Sequence, residues 1–145
     1  MTFHRKISSE LKNVPKVINW IIEKIKKLKL EEDDIFDIRI SLEEAIVNAI
    51  KHGNKLNPKL SVDIFLKIID KSLIIEIKDE GEGFDINNLP DPTSFDNLEK
   101  LSGRGLFLIK NLMDEVELLD RGRKIRMIKF FKSGGKDECK RRKNK

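Results

Sequence analysis

Leu60-Ser61-Val62-Asp63-Ile64-Phe65-Leu66-Lys67-Ile68-Ile69, then Asp70-Lys71-Ser72, then Leu73-Ile74-Ile75-Glu76-Ile77, is the stretch that decides the fold class. Leu60, Val62, Ile64, Leu66 and Ile68 fall on every second position, the period at which a strand sends its side chains to one face. Leu73, Ile75 and Ile77 resume the alternation after three turn-forming residues, so the stretch predicts a β-hairpin with one apolar face.

Working outward, the pattern changes to a helical one on the N-terminal side. Val17, Ile18, Ile21, Ile22, Ile25 and Leu28 recur at three- and four-residue steps after Pro15, with Asn13 as a candidate cap. Glu31 to Asp34 place carboxylates where the positive end of a second helix dipole favours them. Ile35, Ile38, Leu42, Ala45 or Ile46, and Ala49 form that helix's buried stripe, and Gly53 is placed to end it. Phe3 to Ile7 alternates as a short strand. Beyond the hairpin, residues 79–105 are rich in Gly, Asn and Pro with little periodicity, a loop long enough to suggest function. A helix from about Leu106 to Asp114 and strands over Val116 to Arg121 and Ile125 to Phe131, turning at Gly122, complete the pattern. Helices and antiparallel hairpins in separate runs imply an α+β two-layer sandwich: a mixed, mainly antiparallel sheet with helices packed on one face.

At 145 residues, 39% hydrophobic and 38% charged, the chain has the material for one folded domain with a heavily solvated surface. Its net charge of +5 is concentrated at the end: seven of the 30 basic and two of the 25 acidic residues lie in 132–145, so residues 1–131 are balanced. The expected organisation is a domain over 1–131 and a basic flexible tail over 132–145, behind Gly134-Gly135. Such a tail argues against a specific nucleic-acid face. The single cysteine, Cys139, excludes an internal disulfide and has no cysteine neighbours at metal-ligand spacing. No long apolar run and no signal-peptide pattern is present, so the expectation is a cytoplasmic protein without membrane contact.

Three short motifs carry candidate chemistry. In Ser41 to Gly53, Glu44 and Asn48 lie four residues apart and so share a helical face, which His52 joins if the helix persists. A carboxylate and an amide so placed suit a hard cation and a water or hydroxyl, and equally suit a solvated polar face. Asp79-Glu80-Gly81-Glu82-Gly83-Phe84 follows the hairpin directly. Asp79 there can accept a hydrogen bond from an exocyclic amine such as that of adenine, and Gly81 and Gly83 let a planar ligand approach the backbone. The same pattern also reads as an ordinary strand-to-turn signal. Gly103-Arg104-Gly105 stands immediately before an apolar helix, where free backbone N–H groups and an arginine suit a phosphate. No Gly-Lys-Ser/Thr follows, so this is not a P-loop.

Taken in order, Glu44-x-x-x-Asn48-Ala49, Asp79-x-Gly81-x-Gly83-Phe84 and Gly103-x-Gly105-Leu106 resemble the ATP-binding boxes of the GHKL superfamily, which includes gyrase, histidine kinases and mismatch-repair ATPases. Within it, the Asn-Ala-x-x-His-Gly continuation and the stretch Gly105 to Val116 are most similar to the bacterial anti-sigma factor/serine-protein kinases. The resemblance covers roughly residues 3–131. It implies that Glu44 is the catalytic base, that Asn48 is the Mg2+ ligand, and that Asp79 binds the adenine amine. It further implies that Gly81 and Gly83 line the base pocket and that Gly103, Arg104 and Gly105 close over the phosphates. The partners it implies are a sigma factor and an antagonist protein with an acceptor serine, in a homodimer. One departure stands out: many members carry threonine after the glycine of the last hairpin, whereas Arg123 and Lys124 follow Gly122 here.

The leading reading is therefore an ATP- and Mg2+-dependent serine-protein kinase that also binds a sigma factor. An ATP-gated protein-binding module without phosphotransfer is the alternative, and Glu44 discriminates the two. A protein acting on nucleic acid or membranes through its tail is weakened by Asp137 and Glu138 within it. A histidine-kinase fragment is disfavoured, since His4 lies in a strand and His52 at a helix end. Trp20 and the phenylalanines read as core residues, because they do not cluster with the basic ones.

Overall fold

The computed structural model describes residues 1–83 and 105–131. Strand β1 (Thr2–Ser8) leads through a 3-10 turn (Leu11–Asn13) into helix α1 (Val14–Lys26), and helix α2 (Glu32–Asn48) closes in a π-helical turn (Ala49–Gly53). The hairpin follows as β2 (Ser61–Ile69) and β3 (Ser72–Lys78). Helix α3 (Gly105–Leu112), strand β4 (Glu115–Leu119), a 3-10 turn (Asp120–Gly122) and strand β5 (Lys124–Phe130) complete the described chain. Phe84, Gly103, Arg104 and the basic tail lie outside the described residues.

The strands form a five-stranded sheet in the order β1-β2-β3-β5-β4, and every pairing among the described residues is antiparallel. The hairpin alternation holds: Val62, Ile64, Leu66, Leu73, Ile75 and Ile77 are all buried, with Ile64 opposite Ile77 and Leu66 opposite Ile75. They join Ile125 and Met127 of β5 on one face, and that face meets the apolar stripes of the helices in a single core. Each such side chain contributes roughly 1.5–3 kcal/mol by leaving water. The two-layer α+β architecture expected from the sequence is the one observed.

Several local expectations change. Asn13 holds the N-cap position of α1, but its backbone is already helical and its side chain makes no cap bond. Its amide instead donates to the Ser8 carbonyl at 3.1 Å and the Ser8 hydroxyl oxygen at 2.9 Å, tying α1 to the end of β1. Pro15 sits in the first turn, where its missing N–H has no helical partner to lose. Both Ala45 and Ile46 are buried, and so is Asp34 of the acidic stretch. Asp34 does more than face the helix dipole: Lys129, at an inward position of β5, lies 3.9 Å from it and 3.3 Å from Asp37, and donates to the Leu112 carbonyl at 2.7 Å. One buried ammonium thus joins the start of α2, the end of α3 and β5. The phenylalanines are not all core, since Phe36 is 60% and Phe107 54% exposed. Trp20 packs edge-on against Phe3, with the Arg5 guanidinium 5.2 Å from its ring centroid.

Candidate active site

α2 supplies the first wall of the site. Glu44 and Asn48 project from one face, as their spacing requires, and both are half-buried beneath the start of α3. Their common neighbour is Gly105: a Cβ built there would stand 2.7 Å from Glu44 Oε2 and 2.7 Å from Asn48 Nδ2. A glycine therefore lets the α3 backbone close over this carboxylate–amide pair.

After Asn48 the helix widens into a π turn, with Asn54 N–H donating to the Ala49 carbonyl at 2.8 Å. Such widened turns recur at functional sites because they redirect the chain without ending it. Here the turn carries Gly53 and Asn54 to the end of β3. Asn54 is 1% exposed and acts as a three-way tie. Its amide nitrogen donates to the Ser9 hydroxyl oxygen at 2.7 Å and to the Ser61 carbonyl at 3.0 Å, while its oxygen accepts from Glu80 N–H at 2.8 Å. No sequence motif singled out this residue. Its only signal was its place directly after His52-Gly53.

Asp79 stands just past β3 and is 7% exposed. Its N–H donates to the Arg123 carbonyl at 2.9 Å, and its Oδ1 accepts from Gly81 N–H at 2.8 Å. A Cβ on Gly53 would overlap the Asp79 carboxyl group, and one on Gly81 would overlap the Gly53 carbonyl. The two glycines thus make room for each other's segments and fix the carboxylate between them. Burial pushes the Asp79 carboxyl above the ordinary aspartate value, and nearby Asp120 adds to this, while the Gly81 N–H and the Arg123 charge oppose it.

These walls enclose an open cavity of about 170 Å³. Asn48, Asp79, Gly83 and Leu106 line it, together with His52, Lys55 and Arg123. The structure thus brings Asn48, Asp79 and Gly83 to one cavity, with Gly81 beside Asp79 and Gly105 over the α2 pair. Glu44 is a neighbour of Asn48 rather than part of the cavity wall. Chemically, one end offers an acceptor carboxylate flanked by backbone, suited to a planar base with an exocyclic amine. The other offers an amide beside a carboxylate under a helix start, suited to phosphate and a hard cation with few protein ligands.

The family model of the histidine kinase-like ATPase domain matches residues 7–129. A serine-protein kinase RsbW of Staphylococcus epidermidis is 39% identical over 108 residues, which are 69% of this chain and 68% of that one. A serine-protein kinase RsbW of Staphylococcus aureus is 36% identical over 108 residues, with the same shares. Among solved structures, the RsbU and RsbW domains of a Mycobacterium tuberculosis protein share the fold, with a TM-score of 0.61 at 15% identity. That alignment covers 91% of this chain and 32% of the longer one.

Proposed function

The chain belongs to the histidine kinase-like ATPase domain family, and from that premise we propose that it is an ATP-dependent serine-protein kinase that also serves as an anti-sigma factor. It holds a sigma factor and phosphorylates a serine of the antagonist that competes for it. Support comes from the likeness to serine-protein kinases named RsbW at 36–39% identity. The observation that carries the site reading is the single cavity wall shared by Asp79 and Asn48, with Glu44 one helical turn from Asn48.

In this reading Asp79 accepts a hydrogen bond from the adenine amine, and Gly81 and Gly83 leave the base room against the backbone. Asn48 supplies an amide oxygen to Mg2+, and Gly103, Arg104 and Gly105 take the phosphates. Mg2+ supplies charge neutralisation between the phosphates. Glu44 orients the acceptor serine and takes its proton as the serine oxygen bonds to the γ-phosphorus and the bond to the ADP oxygen breaks. The ATP-binding domain occupies 1–131, with 132–145 as a basic tail, and the protein works as a cytoplasmic homodimer. No described helix is long and apolar enough to cross a membrane.

The deciding experiment is single-turnover transfer from γ-labelled ATP to a purified antagonist, with wild type and Glu44→Gln. The variant keeps a carbonyl of the same reach but loses basicity, so nucleotide binding and sigma binding survive. Phosphoserine formation falls by roughly 100-fold or more, the usual scale for a lost general base. Transfer at the wild-type rate removes Glu44 from the role of base. Wild type that binds ATP and sigma factor yet transfers nothing is an ATP-gated binding module.

A further inference from the structure

Arg123, directly after Gly122, forms part of the wall of the candidate nucleotide cavity. Its backbone carbonyl accepts the Asp79 N–H at 2.9 Å, so the two residues are locked in register at the base end. Its Nε is buried and has no hydrogen-bond partner among the described residues. Gly83 makes space for this side chain, since a Cβ there would stand 3.0 Å from Nε, and the residue's φ of +74° suits glycine. A buried donor without a partner is costly, and this one belongs to a guanidinium in the cavity wall, where a ligand acceptor would offset that cost.

Guanidinium can only donate and carboxylate can only accept. Adenine presents this pairing in reverse along one edge: the N6 amine donates and the adjacent N1 accepts. Resting on the nucleotide-site reading above, we infer that Arg123 is a specificity-determining residue whose guanidinium donates to purine N1 beside the amine held by Asp79. The pair reads the base as donor then acceptor. Guanine in the same pose turns both positions around, setting its O6 against the carboxylate and its N1–H against the guanidinium. A site that relies on a buried hydrogen bond rejects an analogue lacking the partner, because its own group is then left unpaired.

The test compares two ligands in each protein preparation, ATP and 1-deaza-ATP, in which a C–H replaces N1. Affinities are measured by calorimetric titration with Mg2+ for wild type, Arg123→Met and Arg123→Ala. Taking the ratio within one preparation cancels any loss of folded protein. In wild type, ATP binds about 10-fold or more tighter than 1-deaza-ATP, the scale of a hydrogen bond to a charged group. In both variants the ratio drops to near one. Wild type that binds both ligands equally overturns this inference while leaving the nucleotide site standing, as does a variant that keeps the full ratio. Wild type that binds neither ligand overturns the nucleotide site and the inference together.

Discussion

Replacing Gly105 with alanine is the sharpest perturbation of the candidate active site, because its effect on chemistry and its effect on folding separate. The added methyl would lie 2.7 Å from both Glu44 Oε2 and Asn48 Nδ2, whereas ordinary contact begins at 3.4 Å, so each group must retreat by about 0.7 Å. Both are tips of rotatable side chains, and the described glycines with positive φ are Gly83 and Gly122, not Gly105. The backbone therefore accepts alanine, and helix propensity returns up to about 1 kcal/mol. Stability should stay within about 1 kcal/mol of wild type in urea titration. Displacements of this size in a reacting constellation cost on the order of 100-fold in rate. Single-turnover transfer from γ-labelled ATP should fall by that order, and the apparent Mg2+ requirement should rise as Asn48 moves. Wild-type transfer rates in a cooperatively folding Gly105→Ala protein would refute the placement of Glu44 and Asn48 at the reacting phosphate. Loss of cooperative unfolding would refute the claim that the contact is functional rather than structural.

Two further outcomes follow from buried charges. Lys129→Met should destabilise the domain by about 3 kcal/mol in chemical denaturation, since it removes the buried ammonium that faces Asp34 and Asp37 and donates to the Leu112 carbonyl; a change under 1 kcal/mol would show that the cluster contributes nothing net. Asp79→Asn should weaken ATP binding about 10-fold or more in calorimetric titration. It should also leave the nucleotide-free protein at least as stable as wild type at neutral pH. An acid whose pKa is raised on folding binds its proton more tightly in the native state, so wild-type stability declines as pH climbs from the unfolded value of 3.8 through the higher folded value. Asparagine does not titrate, so the variant's advantage in thermal unfolding should grow across that window; an advantage that shrinks as pH rises would contradict the raised pKa.

The strands were legible because their faces differ: a period of two in Val62, Ile64 and Leu66 has no other physical reading once the opposite face meets solvent. The helical stripes were legible for the same reason. What was not legible depends on partners distant in sequence. Asp34 reads as a dipole-facing carboxylate until Lys129, 95 positions away, is seen to reach it. The signal was present, since Lys129 interrupts the inward alternation of Ile125 and Met127, but alternation alone does not say what an inward lysine meets. Asn13 looked like a cap because its chemistry allows one, and the end of β1 competed for the same amide. The site motifs named Asp79, Asn48 and Gly105 individually. The mutual exclusion of Gly53 and Gly81, and the π turn that brings them together, arise only from the close approach of two loops. Arg123 was visible as a departure, yet its place in the cavity wall follows from the register of β5 against β3.

That register has a consequence in time as well as in space. β3 is the middle strand, bonded to β2 on one side and β5 on the other, and amides so placed exchange with solvent only when the whole domain opens. An eight-residue helix such as α3 should exchange through smaller and more frequent openings. Asp79 directly follows that middle strand, and Gly105 begins the helix. Native-state hydrogen exchange should therefore find β3 protected for longer than α3, so that the Asp79 end of the cavity outlasts the Gly105 end.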